Sequence, residues 1–187
     1  MRACVTLALL GAAILALGLG GQRGPDSPGP RPTELQGPIE KLSPFLGTWE
    51  IEATWSSGEK LWARNEYRVG VGGRFLEATT FARDGDGKVY ERYLTIFCYD
   101  AAKKAFVSHG FTFDGTAKVT PVDVGEEAGR PIVSLQWKIG EGDAAPEFRQ
   151  RVAFVDGDSY RWQVWTRSGG AEDWSPMMDG VWKRVRR

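Results

Sequence analysis

Apolar and polar residues alternate along most of the chain from Trp49 onward, so that every second side chain tends to be apolar. In the first run, one row contains Trp49, Ile51, Ala53 and Trp55, and the other contains Glu50, Glu52 and Thr54. In the second run, Asn65 shares a row with Leu61, Ala63, Tyr67 and Val69, and the opposite row is Arg64, Glu66 and Arg68. Such alternation is typical of antiparallel strands that bury one face and expose the other.

Eight further segments show a strand-like pattern, and short turns separate them. They span residues 74–81, 89–99, 105–113, 117–124, 131–139, 147–155, 159–166 and 174–185. No segment keeps a helical period over three turns. About ten short strands at near-regular spacing predict an all-β domain, either a barrel or a sandwich.

The turn at residues 84–87, Asp-Gly-Asp-Gly, has the beginning of a calcium-binding loop. An EF-hand would place its bidentate glutamate at position 95, where this chain has Thr95. Asp-Gly between two alternating runs is a strong hairpin signal, so we predict a hairpin here. The glycines of residues 70–73 predict another tight connection, since a phosphate-binding loop would need a Lys-Ser/Thr pair that is missing.

Two segments precede the strands. Residues 1–21 combine Arg2 with an uncharged apolar run over residues 3–19, which is the pattern of a secretory signal and predicts export. An uncleaved membrane anchor is the alternative, because this run is almost long enough to span a bilayer. Residues 22–41 are rich in Pro and Gly and predict a flexible linker, with a short helical turn at 39–42 that caps the folded domain at 42–187.

The composition of the chain argues against some classes of function and favours others. The formal net charge of zero argues against a nucleic-acid partner, which would need a concentrated basic surface. The eight tryptophans fit half-buried strands and can line a pocket. Without residues 1–21, Cys98 is the only cysteine, so no internal disulfide can form, and we interpret it as a small apolar residue in its strand.

Four short motifs, in their order and spacing, resemble a family of bacterial lipocalin-like domains of the calycin superfamily. The motifs are Leu46-Gly47-Thr48-Trp49-Glu50, Gly72-Gly73-Arg74-Phe75-Leu76, Tyr99-Asp100 and Phe106-Val107. The likeness covers residues 42–184, and such domains often follow a signal peptide. It implies a single antiparallel up-and-down β-barrel of about ten strands.

The same resemblance assigns roles to three residues. Gly47 would let the chain turn into the barrel, and Trp49 would plug its closed end. Arg184 best matches the C-terminal arginine that packs across this tryptophan in such barrels. A barrel of this kind can enclose one small ligand.

Ligand contacts are expected on the inward rows. These rows offer Trp55, Asn65 and Tyr67, together with His109 and Phe111, which share a row with Val107 and Phe113. An asparagine in an apolar inward row costs stability unless its amide is paired, so Asn65 should meet a ligand, a water or a neighbour such as His109. His109, the only histidine, is either a hydrogen-bonded structural residue, a ligand contact or a haem ligand of the kind found in nitrobindin-like barrels, where the histidine lies nearer the C-terminus.

Catalytic and metal signals are weak. Ser108 adjoins His109, but adjacent strand residues point to opposite faces, and no Gly-x-Ser-x-Gly motif is present. Neither a second histidine nor a cysteine pair offers zinc-ligand spacing, so we predict no metal and no cofactor apart from the haem alternative.

The sequence therefore predicts an exported, non-catalytic barrel that binds a small apolar or amphipathic molecule, with a membrane partner only if the first segment stays uncleaved. One alternative is a structural or interaction domain with a filled core that displays Trp62 and Trp174. The other is a haem-binding or enzymatic barrel centred on His109.

Overall fold

The computed structural model describes residues 32–186. The predicted signal segment at 1–21 and residues 22–31 of the predicted linker lie outside this range. Within it, no helix is long and apolar enough to cross a membrane.

Ten antiparallel strands form a closed barrel in which each strand pairs with the next and the last pairs with the first. The strands are β1 (Gly47–Thr54), β2 (Lys60–Val69), β3 (Phe75–Arg83), β4 (Val89–Asp100), β5 (Ala105–Thr112), β6 (Ala117–Glu127), β7 (Arg130–Lys138), β8 (Glu147–Phe154), β9 (Ser159–Arg167) and β10 (Ser175–Arg184). The predicted all-β, up-and-down barrel is confirmed. Ring closure leaves no free sheet edge, which protects such a sheet from pairing with other chains.

The turn between β3 and β4 shows why the Asp-Gly pattern produced a hairpin. Asp84 Oδ1 accepts hydrogen bonds from the backbone N–H groups of Asp86 and Lys88, at 3.1 Å and 2.8 Å. The carboxylate therefore stabilises the turn that joins the two strands, as Asp does in many turns.

One end of the barrel is closed by a 3₁₀ helix at Gly37–Phe45, which we call the plug. Its apolar side chains Ile39, Leu42 and Phe45 are buried in the core, and Leu35 just before it is buried as well. The predicted linker boundary at residue 41 is therefore too late, because apolar residues within the Pro-rich stretch pack into the barrel from Leu35 onward. The helical turn expected at residues 39–42 is part of this plug.

Trp49 lies above the plug and is 0% exposed. Its indole Nε1 donates a hydrogen bond of 2.6 Å to the carbonyl oxygen of Phe45. The Arg184 guanidinium covers the indole at 4.1 Å from the ring centroid and donates to the carbonyls of Leu46 and Pro44, at 2.6 Å and 2.9 Å. We call these contacts between Arg184, Trp49 and the end of the plug the clasp.

Gly47 is required at the clasp for two reasons. Its backbone φ is +114°, a value that residues with a Cβ atom rarely adopt. A Cβ at this position would also lie 2.9 Å from Arg184 Nη1. The turn into the barrel and the approach of the arginine therefore both depend on glycine.

The clasp also lies on the seam that closes the ring. The β1–β10 ladder pairs only Trp49 with Arg184 and Glu50 with Lys183, whereas the β1–β2 ladder runs the full length of β1. The guanidinium of Arg184 thus reinforces the shortest ladder of the barrel at its closed end.

Candidate functional site

Above the plug, the barrel encloses a cavity of about 420 Å³. Nine of its lining residues are aromatic: Trp55, Tyr67, Tyr93, Phe97, Trp137, Phe148, Tyr160, Trp162 and Trp182. Aliphatic residues such as Ala63, Ala78, Ala82 and Val164 fill much of the remaining wall. The volume falls within the range of about 300–1,000 Å³ that is usual for small-molecule sites. The interior is therefore not completely filled, unlike the core that the structural alternative assumed.

The part of the cavity next to the plug carries the polar side chains Asn65, Tyr67, Gln150 and Tyr160; we call the buried set Asn65, Tyr67 and Tyr160 the floor. The Phe45 ring of the plug lies near both tyrosines, with centroids 5.5 Å from Tyr67 and 5.4 Å from Tyr160. Asn65 is 9% exposed and Tyr160 is 1% exposed. These groups therefore place hydrogen-bonding atoms beside the plug, in a cavity whose walls are mostly apolar.

Hydrogen bonding at the floor is incomplete. Asn65 Nδ2 donates to the hydroxyl oxygen of Tyr67 at 3.3 Å. Asn65 Oδ1 and the hydroxyl of Tyr160 are both buried, and neither has a hydrogen-bond partner among residues 32–186. Leaving a buried polar atom unpaired costs about 1–3 kcal/mol, so these two atoms favour a bound group that can pair with them.

Both floor tyrosines remain protonated. Burial raises the pKa of Tyr67, and burial together with the adjacent Tyr67 hydroxyl raises the pKa of Tyr160 well above its usual range. Each phenol therefore keeps its proton at neutral pH and can act as a hydrogen-bond donor.

The opposite end of the cavity is its mouth. Trp55, Ile139 and Tyr93 line the cavity there, and the last two are also exposed to solvent. A register shift between β3 and β4 adds one residue to β4, so that consecutive residues Arg92 and Tyr93 both line the cavity. Arg92 is the one charged residue of this lining, and its Cζ lies 5.2 Å from the Tyr93 ring centroid.

Of the five ligand contacts expected from sequence, Trp55, Asn65 and Tyr67 line the cavity. The inward rows of β1 and β2 are therefore those that the alternation indicated. Trp55 lies at the mouth, and the other two lie at the floor.

The expectation for His109 and Phe111 is wrong. In β4, Phe97 lines the cavity, and its β5 partner is Ser108, so Ser108 and not His109 points inward. Ser108 is 4% exposed, and its Oγ donates to the carbonyl oxygen of Thr120 at 3.3 Å. Phe113, which shares the row of His109, is 73% exposed.

The inward row of β5 contains Phe106, which packs against the core, followed by the small residues Ser108 and Gly110. Its other row forms part of an outer face, where His109 lies between Ile96 of β4 and Val119 of β6. His109 therefore does not face the cavity and does not pair with Asn65.

Other lining residues were missed although a signal existed. Tyr160, Trp162 and Val164 form a clean alternating row in β9, and that row could have been assigned to the interior. Arg92 could not have been found in this way, because it enters the cavity through a register shift that alternation does not reveal.

Trp62 and Trp174, proposed as contacts for a partner, each lie against arginine side chains. The Arg83 guanidinium lies 4.0 Å from the Trp62 ring centroid, and the guanidinium groups of Arg149 and Arg167 each lie 4.8 Å from the Trp174 ring centroid.

Cys98 is partly buried on the outer face of β4, and burial, followed by the charge of Asp100, raises the pKa of its thiol. Within the described chain, no group of three or more His, Cys, Asp or Glu side chains could hold a metal ion.

Comparison with known proteins gives the fold only. No family model matches the chain, and no curated protein matches it. The crystal structure of Rv2717c from M. tuberculosis is similar, with a TM-score of 0.55 and 17% identity over 82% of this chain and 100% of that chain. At this identity the likeness shows a shared β-barrel fold.

Two other solved structures resemble the chain more weakly. One is a de novo designed fluorescence-activating beta barrel, with a TM-score of 0.39 and 13% identity over 75% of this chain and 94% of that one. The other is EF1p2_mFAP2b bound to DFHBI, with a TM-score of 0.35 and 10% identity over 78% and 97%. Neither likeness is close enough to inform the function.

Proposed function

We propose that this protein binds one small apolar or amphipathic molecule inside the barrel and does not transform it chemically. The observation that carries the proposal is the aromatic-lined cavity of about 420 Å³, open at the mouth and closed by the plug. At liquid density such a volume corresponds to about fourteen water molecules of roughly 30 Å³ each. A guest of that size would exchange much of this water for contact with apolar walls.

The walls and the floor would contribute differently to binding. Burial of apolar surface stabilises a complex by about 25 cal/mol per Å², and the aromatic walls supply most of that surface. Polar groups fix the orientation of a guest, because a displaced or mismatched hydrogen bond at a buried site is costly. The floor residues Asn65, Tyr67 and Tyr160 are placed for this second role.

A titration with Nile red, an uncharged dye that becomes fluorescent in apolar surroundings, tests the proposal. We expect one equivalent to bind, with blue-shifted emission, because the dye can enter the aromatic cavity. Arg64→Ala and His109→Phe should leave the dissociation constant within about twofold, since both residues lie outside the cavity lining. Wild-type protein that gives no change in emission, or a large loss of affinity in these outer variants, would contradict the proposed site.

Native mass spectrometry of the protein purified from its own host complements the titration. It reports a bound mass without assuming the chemistry of the ligand, and a mass released on unfolding would identify the natural guest.

A further inference from the structure

The unpaired atoms at the floor restrict the kind of head group that a ligand can place there. Asn65 Oδ1 is an acceptor without a donor among residues 32–186, and the Tyr160 hydroxyl has no partner in that range. Both residues are more than nine-tenths buried and line the same cavity. A head group that reaches the floor therefore has to satisfy one acceptor and at least one phenol.

The Tyr67 hydroxyl adds a second donor. Its oxygen accepts the Asn65 amide, so its own proton is free to point elsewhere. The buried side chains of Asn65, Tyr67 and Tyr160 thus offer two phenol protons and one carbonyl oxygen, and the amide of Gln150 lines the cavity beside them. A single hydroxyl group matches this set, because it accepts hydrogen bonds at its oxygen while donating its proton.

A charged head group fits the floor poorly. A carboxylate has no proton to give to Asn65 Oδ1, and no lysine, arginine or histidine lines the floor to offset the loss of its hydration. An ammonium could donate to Asn65 Oδ1, but no carboxylate of the described chain lines the cavity to offset the loss of its hydration. Arg92, the one cation of the lining, lies at the mouth beside Tyr93, so a negative charge is accommodated only there.

The body of the ligand is restricted by the walls. Trp162 and Trp182 lie edge to face, with ring centroids 6.1 Å apart, and Trp55 packs on Trp162 with centroids 5.8 Å apart. On the neighbouring strands β7 and β8, Trp137 stacks on Phe148 with centroids 5.6 Å apart. Such surfaces favour flat, conjugated guests, whose faces and edges complement the quadrupoles of the rings.

We propose that the ligand is an uncharged aromatic alcohol or phenol. It enters the cavity with its hydroxyl first, so that the hydroxyl lies at the floor between Asn65 Oδ1 and the Tyr160 hydroxyl and the ring lies toward the mouth. This inference rests on the proposed function, since it assigns a chemical class to the guest of the same cavity. The hydroxyl donates to Asn65 Oδ1 and accepts from the phenols of Tyr160 and Tyr67, which pairs the free carbonyl oxygen and both phenol protons of the floor.

The test compares three probes of similar size by their ability to displace Nile red: 2-naphthol, 2-methylnaphthalene and 2-naphthoate. We expect 2-naphthol to bind at least about tenfold more tightly than 2-methylnaphthalene, because the methyl group leaves the floor atoms unpaired. A purely apolar cavity would give the opposite order, since the hydrocarbon is the more hydrophobic probe. The anion 2-naphthoate should bind more weakly than 2-naphthol.

Three variants separate the floor from the rest of the cavity. Tyr160→Phe and Asn65→Leu should reduce the preference for 2-naphthol over 2-methylnaphthalene to about twofold or less, while both still bind Nile red. Tyr93→Phe, a matched control, removes a phenol from the mouth and should keep the full preference. Retained Nile red binding shows that each variant is folded.

The outcomes distinguish the two proposals. If 2-methylnaphthalene or 2-naphthoate equals or exceeds 2-naphthol, or if Tyr160→Phe keeps the preference, the assignment of the ligand class is wrong and the binding function stands. If neither Nile red nor any of the naphthalene probes binds the wild-type protein, the proposed function falls and this inference falls with it.

Discussion

Replacing Trp49 with alanine should lower the free energy of unfolding by about 3–5 kcal/mol. Trp49 is 0% exposed, and its ring packs on Tyr160 and Phe154 at centroid distances of 4.8 Å and 5.8 Å. The truncation would leave a void in the core and remove the surface on which Arg184 lies. Urea unfolding followed by circular dichroism measures the loss as a lower midpoint.

Trp174→Ala is the matched control for that measurement. Trp174 is also a tryptophan with arginine side chains against its ring, but it is only partly buried and lies outside the core. Its loss should cost no more than about 2 kcal/mol, since each of its two arginine contacts contributes about 0.5–1 kcal/mol at an exposed site. Equal destabilisation by the two changes would contradict the role assigned to Trp49 at the closed end.

Ala78→Phe should weaken Nile red binding by at least about 100-fold, because the new ring would occupy the space that a guest needs. Ala78 is buried on β3, lines the cavity and lies opposite Tyr67. Inserting a large side chain into a packed core usually costs about 1–3 kcal/mol. Here the cavity can accept the ring, so the loss of stability should be smaller than the loss of binding.

The neighbouring residue supplies a control with the same new side chain. Thr79 follows Ala78 on β3 and lies opposite Glu66, on the outer face. Thr79→Phe should leave Nile red affinity within about twofold of the wild type. An Ala78→Phe variant that is folded by circular dichroism and still binds the dye normally would show that the dye binds elsewhere.

The ten strands were predictable because the two faces of most strands differ in polarity. In β1 and β2 the apolar row is also the inward row, so Trp49, Trp55 and Tyr67 were assigned to the interior from alternation alone. The charged residues of the opposite row of β2, such as Arg64 and Glu66, reinforced that assignment because charges are rarely buried without partners.

In β5 the inward face cannot be assigned in this way, because neither of its two alternating rows contains a charged residue. The choice between the row of Ser108 and the row of His109 depends on which residues of β4 and β6 lie alongside, and that register is a property of the whole ring. Because a shift of one residue turns every side chain to the other face, a local pattern of this kind cannot decide the question.

The cavity itself could not be predicted from the alternating pattern of the sequence either. A row of aromatic residues is equally compatible with a filled core and with a lined pocket, since the difference depends on how side chains from opposite strands meet. Residues such as Ala63, Ala78 and Ala82 leave space on the β2–β3 wall that the rings from β7, β8 and β9 do not fill. That space, and the unpaired atoms of Asn65 and Tyr160 at its floor, appear only when the barrel is assembled.

The clasp has a consequence for the rate at which the barrel opens. Arg184 and its acceptor Leu46 are 138 residues apart in the chain, whereas the other ladders join strands that follow each other directly. Because the entropy cost of closing a loop grows with its length, we expect local hairpins to form early and the contacts of the clasp to form late in folding. Removing a contact that forms after the transition state increases the unfolding rate and leaves the folding rate nearly unchanged. Arg184→Ala should therefore accelerate unfolding by about thirtyfold, if it costs roughly 2 kcal/mol, and leave the folding rate nearly unchanged. Stopped-flow measurements should show only the unfolding limb displaced, which would make this arginine a determinant of the lifetime of the folded barrel.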